Sequence, residues 1–430
     1  MKNLLIRRSI ISAFACLITA LLLIPSVNAQ TSATDEAIAK YRKGQLVIKA
    51  KKGSQVKVEQ LRHEFWFGAA IPNSLAGRGM SPENLKMFKQ KFLENFNSAV
   101  TENSLKWAIM EPQKDKEDYS VTDSILAWTT RNNIPLRGHN LFWGIFKSPN
   151  TGQQYVQQWV ADLSDEELRQ RIHDRAIRIT KYYKGRFAEY DMNNEMIHGD
   201  YYEDRLGPGI VKQMATWGHE GDPDAKFWLN DYDILIKDSP LGIGLPEYMA
   251  HIRRLLKEGV PISGIGVQGH SFLETFDRQY VKSALDSLAK FGLPIRITEF
   301  NLPGMRSTLK NAQLTPEQEA NKAKEIVDFY KLCFAHPAVE GIIMWGFWEG
   351  ANWVPSSSMY KRDWTPTPTA EAYKNLVFKE WWTNTSGVTD KKGVYTVPAF
   401  YGKYRVTVNG VSKEVDLKKA EGKMTVDFGK

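Results

Sequence analysis

The stretch ITEFNLPG, residues 297–304, closes a β-rich run with one carboxylate, Glu299, and then turns at Asn-Leu-Pro-Gly. A charge where a buried strand runs out has a reason in a closed barrel of parallel strands. The carboxyl ends of all the strands converge there on one mouth, and polar residues at that mouth do chemistry without disturbing the apolar layers beneath.

The rest of the chain keeps the same pattern. Candidate strands fall at 63–71, 98–102, 135–142, 187–194, 225–232, 262–268, 294–299 and 341–347. Amphipathic helical patterns lie between them, including 165–183 behind the capping signal SDEE, 245–258, and 315–334 opening on TPEQE. Eight strands alternating with helices between about residues 63 and 380 predict an α/β fold, a (β/α)8 TIM barrel. An open doubly wound sheet is the alternative, but no glycine-rich phosphate turn follows the first strand. In the barrel, Glu102, His139, Glu195, Asp231, Gln268 and Glu349 also lie at or just past strand ends, with His270 beside them. The 13 Trp and 17 Tyr gather near the same places, in GHNLFWG (138–144), LNDYD (229–233) and MWGFWEGANW (344–353). Rings set among polar groups suit a sugar, which offers an apolar face and a rim of hydroxyls.

The flanks read differently. Residues 30–62 form an N-terminal extension in which 45–60 reads as a β-hairpin around Lys52-Gly53, and 381–430 holds several strands, with Asn409-Gly410 a strong turn signal. Each piece is too small to stand alone, so the two are expected to combine into one small β module beside the barrel, domain 63–380. Residues 1–29 read as a cleavable secretory leader: Lys2, Arg7 and Arg8 precede a short apolar run, and Val27-Asn28-Ala29 precedes Gln30. Secretion is the expected location, with no membrane contact once the leader is gone. Cys16 would leave with it, so Cys333 has no internal disulfide partner. The net charge of +8 loses the three leader cations and is otherwise scattered, which argues against nucleic acid. No two of the 8 His stand four residues apart and no thiolate joins them, so His139, His198 and His270 read as hydrogen-bonding residues, and no metal or cofactor is expected.

Two carboxylates stand out. YDMNNEMIHG (190–199) ends the fourth strand with Asn194-Glu195, and Glu299 ends the seventh. A pair facing each other across a barrel mouth can divide the work of glycoside cleavage. One is partly desolvated and protonates the leaving oxygen, and the other, ionised, attacks or activates water.

TENSLKWAIMEP (101–112), RGHNLFW (137–143), DMNNE (191–195), GVQGH (266–270), ITEF (297–300) and the Trp345 to Trp353 spacing together resemble, in order, glycoside hydrolase family 10, the barrel endo-β-1,4-xylanases. The resemblance covers roughly residues 60–380 and looks closest to the plant-like and environmental bacterial branch. It implies a secreted retaining endo-1,4-β-xylanase acting on xylan as a monomer, with Glu195 as acid/base and Glu299 as nucleophile. Asn194 would bind the sugar 2-hydroxyl, and Gln268 and His270 would hold Glu299 ionised. Glu102, Asn103 and Lys106 would bind the sugar beyond the cleavage point, with Lys106 alternatively a plain ion pair of Glu102. His139, Trp143, Trp345 and Trp353 would wall the scissile unit, and Tyr232 would hydrogen-bond near the nucleophile. Trp107 and Pro112 are assigned to packing.

Three positions depart from the family. Asn301 stands where most members carry an Asp that orients the supporting histidine; an amide fixes a tautomer but does not stabilise a charged imidazole. Gly144 replaces a frequent His. Trp348-Glu349 replaces a frequent Thr-Asp, leaving Glu349 either lining the cleft or facing solvent. The competing readings are a retaining β-glucanase or cellulase of the same barrel type, and a barrel that binds xylan without cutting it.

Overall fold

The computed structural model describes residues 25–77, 79–148, 152–306 and 313–429. The leader read over residues 1–29 lies outside these up to residue 24; a helix then runs Pro25–Arg42. The strands are β1 Lys43–Lys49, β2 Gln55–His63, β3 Trp66–Ile71, β4 Ser98–Thr101, β5 Leu136–Gly138, β6 Phe142–Trp143, β7 Glu189–Asn194, β8 Phe227–Asp231, β9 Gly264–Val267, β10 Ile295–Phe300, β11 Val339–Met344, β12 Asn384–Val388, β13 Val394–Phe400, β14 Gly402–Val408, β15 Val411–Leu417 and β16 Lys423–Asp427.

Strands β3 to β11 form one parallel sheet in the order β5-β4-β3-β11-β10-β9-β8-β7-β6. β5 also pairs with β7, so β5 and β6 act as two halves of one strand and the sheet closes as an eight-position barrel. All eight expected strands are present. The helices between them start where the capping residues say. Ser164 and Glu167 form a reciprocal capping box on Asp165–Tyr182, as Thr315 and Gln318 do on Pro316–Ala335. The first of these helices buries Leu168, Ile172, Ala176 and Ile179, one stripe at helical spacing, against the barrel.

The barrel interior is not purely apolar, as an alternating pattern of apolar layers would have it. Arg137 on β5 pairs with Glu189 and Asp191 on β7, and Arg296 on β10 reaches Glu189 at 2.9 Å while lying 3.8 Å from the centre of the Trp66 ring. Burial alone would lower the Arg137 guanidinium, but the Asp191 and Glu189 charges outweigh it and hold it above its ordinary value. Charges are kept inside a barrel only when paired and hydrogen-bonded in this way.

The flanking strands build a two-sheet sandwich, β13-β1-β16 facing β12-β2-β14-β15, around Leu46, Ile48, Val56, Val58, Val397, Tyr404, Val406 and Leu417. The expected hairpin at 45–60 is corrected here. β1 pairs with β13 and β16, and β2 with β12 and β14, so the turn at Lys51–Ser54 crosses from one sheet to the other. The two apolar faces bury better against each other than as neighbours in one sheet. The sandwich docks on the amino end of the barrel. Arg42 donates to the backbone carbonyls of Phe334, His336 and Val339, and Arg62 to those of Asn97 and Asn133, all before or at strand starts. The opposite end, where the strands finish, is left open.

Candidate active site

β10 delivers Glu299 one residue before its end, and β7 delivers Glu195 one residue after its own. Glu195 has a left-handed backbone, φ 62°, fixed by its N–H donating to the Asn230 carbonyl at 2.9 Å. A non-glycine residue held there carries strain that the surrounding structure must support, a common arrangement at functional sites. The β7–β8 pairing shifts register between Asp191 and Asn194, which lets Asn193 and Asn194 serve different partners. Asn193 donates to Asp200 at 2.8 Å, and Asn194 accepts from Asn230 at 2.9 Å.

Glu299 is buried. Its Oε1 accepts from Asn230 Nδ2 at 2.8 Å, its Oε2 lies 3.1 Å from His270 Nε2, and His139 Nδ1 stands 3.9 Å from Oε1. Burial pushes this carboxyl up, but the His270 hydrogen bond, the nearby His139 and His270, and Asn230 overcome it and bring it down to about 2. Glu195 has a different environment. Its Oε1 accepts from Gln268 Nε2 and its Oε2 from Trp143 Nε1, both at 2.8 Å. Burial, reinforced by the charge of Glu299, raises its carboxyl above the ordinary value despite those bonds. The mouth thus holds one carboxyl that ionises early and one that keeps its proton late.

Gln268 was expected to hold Glu299; its side chain holds Glu195 instead. Gln268 meets Glu299 only through the backbone, its carbonyl accepting the Glu299 N–H at 2.7 Å, while its side chain reaches across the mouth to Glu195. His270 does meet Glu299.

The other expected residues line the same opening. Lys106 donates to Asn103 at 2.9 Å and lies 4.8 Å from the centre of the Trp143 ring, so its cation is partnered by an amide and an indole. Burial lowers the Lys106 ammonium, opposed by Glu299, Glu195 and Glu102, while burial raises Glu102 beside it. His139 bonds Asp191 at 2.9 Å and meets the Trp345 ring edge-on at 5.1 Å. Trp345 is buried, whereas Trp353 is 44% exposed with its indole N–H on Asn301 Oδ1 at 3.0 Å. Tyr232 stacks on His198, with ring centroids 3.5 Å apart, and His198 is held by Asp231 at 2.8 Å. Burial and then the Glu195 charge raise the Tyr232 hydroxyl. Trp107 is packed in the core, its indole bonded to Glu111.

The departures have local causes. A Cβ on Gly144 would sit 2.3 Å from Asp200 Oδ1 and 3.0 Å from Asp200 Cα, so the space a side chain would need is occupied. Asp200 is buried there, accepting from Asn193 and from the Tyr202 N–H, and burial followed by the Glu203 charge pushes it up to about 7. Glu349 accepts the Arg362 N–H at 2.9 Å, and Trp348 stacks on Trp364 at 4.4 Å, which makes this segment a loop brace. Asn301 bonds His270 Nδ1 at 2.8 Å.

Two contributors escaped the sequence reading. Asn230 spends both amide hydrogens, one on Asn194 and one on Glu299, and its own oxygen accepts from Thr298 at 2.5 Å. Asp191 joins His139 to Arg137. Asn230 lies inside LNDYD and Asp191 four residues before Glu195, so strand alternation pointed inward at both.

The family model described as Glycosyl hydrolase family 10 matches residues 59–377. Endo-1,4-beta-xylanase 1 of Arabidopsis thaliana is 34% identical over 367 residues, covering 85% of this chain and 36% of that protein. The anti-sigma-I factor RsgI6 of Acetivibrio thermocellus is 33% identical over 394 residues, covering 90% of this chain and 47% of that protein. The chain therefore spans less than half the length of these curated relatives. Among solved structures, xylanase 10B from Thermotoga maritima matches with a TM-score of 0.63 at 23% identity, covering 74% of this chain and 96% of that one, which bears on the fold.

Proposed function

The chain belongs to glycosyl hydrolase family 10, and from that premise we propose that it is a retaining endo-1,4-β-xylanase, cutting internal β-1,4-xylosidic bonds of xylan. The observation that carries the reading is the opposed environment of two buried carboxyls: Glu299 is driven down by His270 and Asn230, and Glu195 is driven up by burial and by Glu299. That division supplies an ionised nucleophile and a protonated acid at the same pH.

In the first step a Glu299 oxygen attacks the anomeric carbon, the glycosidic C–O bond breaks, and Glu195 gives its proton to the leaving oxygen. In the second, Glu195, now a carboxylate, takes a proton from water, whose oxygen displaces Glu299 and restores both groups. This chemistry calls for carboxyl groups about 5 to 5.5 Å apart. With its oxygen committed to Asn230, Asn194 offers its amide hydrogens to the sugar 2-hydroxyl, an interaction that strengthens in the transition state. Glu102, Asn103 and Lys106 would bind the next sugar, His139, Trp143, Trp345 and Trp353 would wall the scissile one, and Tyr232 would flank Glu195. The N-terminal leader motif supports secretion.

Walls of this bulk leave little room for a hydroxymethyl group, so xylan is preferred over a glucan. A misfit of that kind is worth about 1–3 kcal/mol. The test is sugar release from xylan and from barley β-glucan, with Glu195→Ala and Glu299→Ala as controls. Faster release from xylan, lost in both variants, supports the proposal. Faster release from the glucan, or xylan cleavage surviving in Glu299→Ala, would overturn it.

A further inference from the structure

We propose that Asn301 is a positioning residue that ties the wall ring Trp353 to the histidine holding Glu299, so that sugar packing at one end and the nucleophile at the other act as one unit. The proposal deepens the reading of Glu299 as nucleophile and rests on it.

The Asn301 side chain is buried and uses its whole hydrogen-bonding capacity. Oδ1 accepts from Trp353 Nε1 at 3.0 Å and faces His270 Nδ1 at 2.8 Å; Nδ2 donates to the Trp345 carbonyl at 3.2 Å and to Ser357 Oγ at 2.9 Å. The partners fix which end of the amide is which. An indole N–H only donates and a backbone carbonyl only accepts, so oxygen must face Trp353 and nitrogen must face Trp345. His270 Nδ1 therefore donates to Oδ1, and Nε2, 3.1 Å from Glu299 Oε2, must carry a second hydrogen to donate to the ionised carboxylate. An unbroken line runs from an exposed indole through a buried amide and an imidazole to a buried carboxylate.

Apart from the Asn301–Ser357 bond, the loop bearing Trp353 has holds of its own. Asn352 donates to Ser358 at 2.9 Å, Ser357 donates to the Val354 carbonyl at 2.8 Å, and Lys322 donates to the Ser356 carbonyl at 2.7 Å. Losing the Trp353 bond would therefore leave the loop in place while releasing the ring and removing one of the two donors on Asn301 Oδ1. The amide also suits this loop in a way a carboxylate would not. Aspartate at 301 would still accept from Trp353 and His270, but would set an oxygen against the Trp345 carbonyl and lose both donated bonds.

The experiment is a double-mutant cycle on kcat and KM for xylan, using Trp353→Phe, Asn301→Ala and the double variant, with thermal melts to show that each is folded. Trp353→Phe keeps a ring and removes only the indole donor together with part of the packing surface. Coupling predicts that each single change lowers kcat about fivefold to tenfold, and that the double variant lies within about twofold of the worse single. Effects on kcat that multiply, or a Trp353→Phe change confined to KM, would overturn the proposal while leaving the xylanase reading intact. A wild-type chain inactive on xylan would overturn both. If Asn301→Ala does not fold, Asn301→Asp replaces it. Because the carboxylate keeps both accepted bonds, Trp353→Phe must still cost about fivefold in kcat in that background, and no loss there would overturn the coupling.

Discussion

Gln268 and Glu195 are joined at 2.8 Å, side-chain amide to carboxyl oxygen, while the Gln268 backbone carbonyl accepts the N–H of Glu299. One residue thereby meets the carboxyl of Glu195 and the backbone of Glu299. The Gln268 amide favours the ionised form of Glu195, so removing it in Gln268→Ala pushes that carboxyl higher still. The alkaline limb of kcat/KM should move to higher pH, and activity at the optimum should fall about tenfold, as for loss of a hydrogen bond to a charged group. An acid-limb shift with an unmoved alkaline limb would place Gln268 on Glu299.

The two carboxyls also affect stability, with opposite signs. Glu299 is depressed in the folded state, so it stabilises the fold above the ordinary carboxyl range, and that contribution is lost as pH falls towards about 2. Glu195 is raised, so its contribution is present below the ordinary value and is lost as pH climbs through the folded one, leaving a cost at neutral pH. Glu195→Gln should therefore raise the melting temperature at pH 7, by about 1 kcal/mol of stability, while abolishing turnover. The gain should shrink when the melts are repeated at pH 4.

At Gly144 the prediction is steric. Gly144→Ala forces a methyl group onto the buried Asp200 carboxyl and should cost about 1–3 kcal/mol, read from urea unfolding. A variant as stable as wild type would mean that Asp200 moves freely aside.

The interior charges give the largest expected loss. Arg137→Met leaves Glu189 and Asp191 without the cation between them and should cost about 3–5 kcal/mol. His139 shares Asp191, so turnover should fall as well, and a denaturation midpoint equal to wild type would show the network to be dispensable.

Strand alternation, capping boxes and the placing of polar groups at strand ends made the barrel legible, because each is a local rule. The carboxyls Glu195 and Glu299 were legible for the same reason. What stayed hidden depends on contacts distant in sequence. Gln268 could turn towards either carboxyl, and only the folded structure shows its side chain on Glu195. Asn230 lies inward on a strand in LNDYD, but nothing local tells that it serves both Asn194 and Glu299. The strands at 43–49 and 55–63 carry a hairpin's pattern, yet each finds a better apolar face against strands from the other end of the chain.

The central claim is that Glu299 attacks and Glu195 protonates. The direct test is mass spectrometry of the wild-type chain incubated with a xylobioside that bears fluorine at C2 of the reacting sugar and a good leaving group, so that the glycosyl-enzyme forms faster than it breaks down. The account predicts a mass gain of one xylobiosyl unit, mapped after digestion to the peptide carrying Glu299. A stable adduct on Glu195, or rapid cleavage with inversion at the anomeric carbon and no adduct, would contradict it.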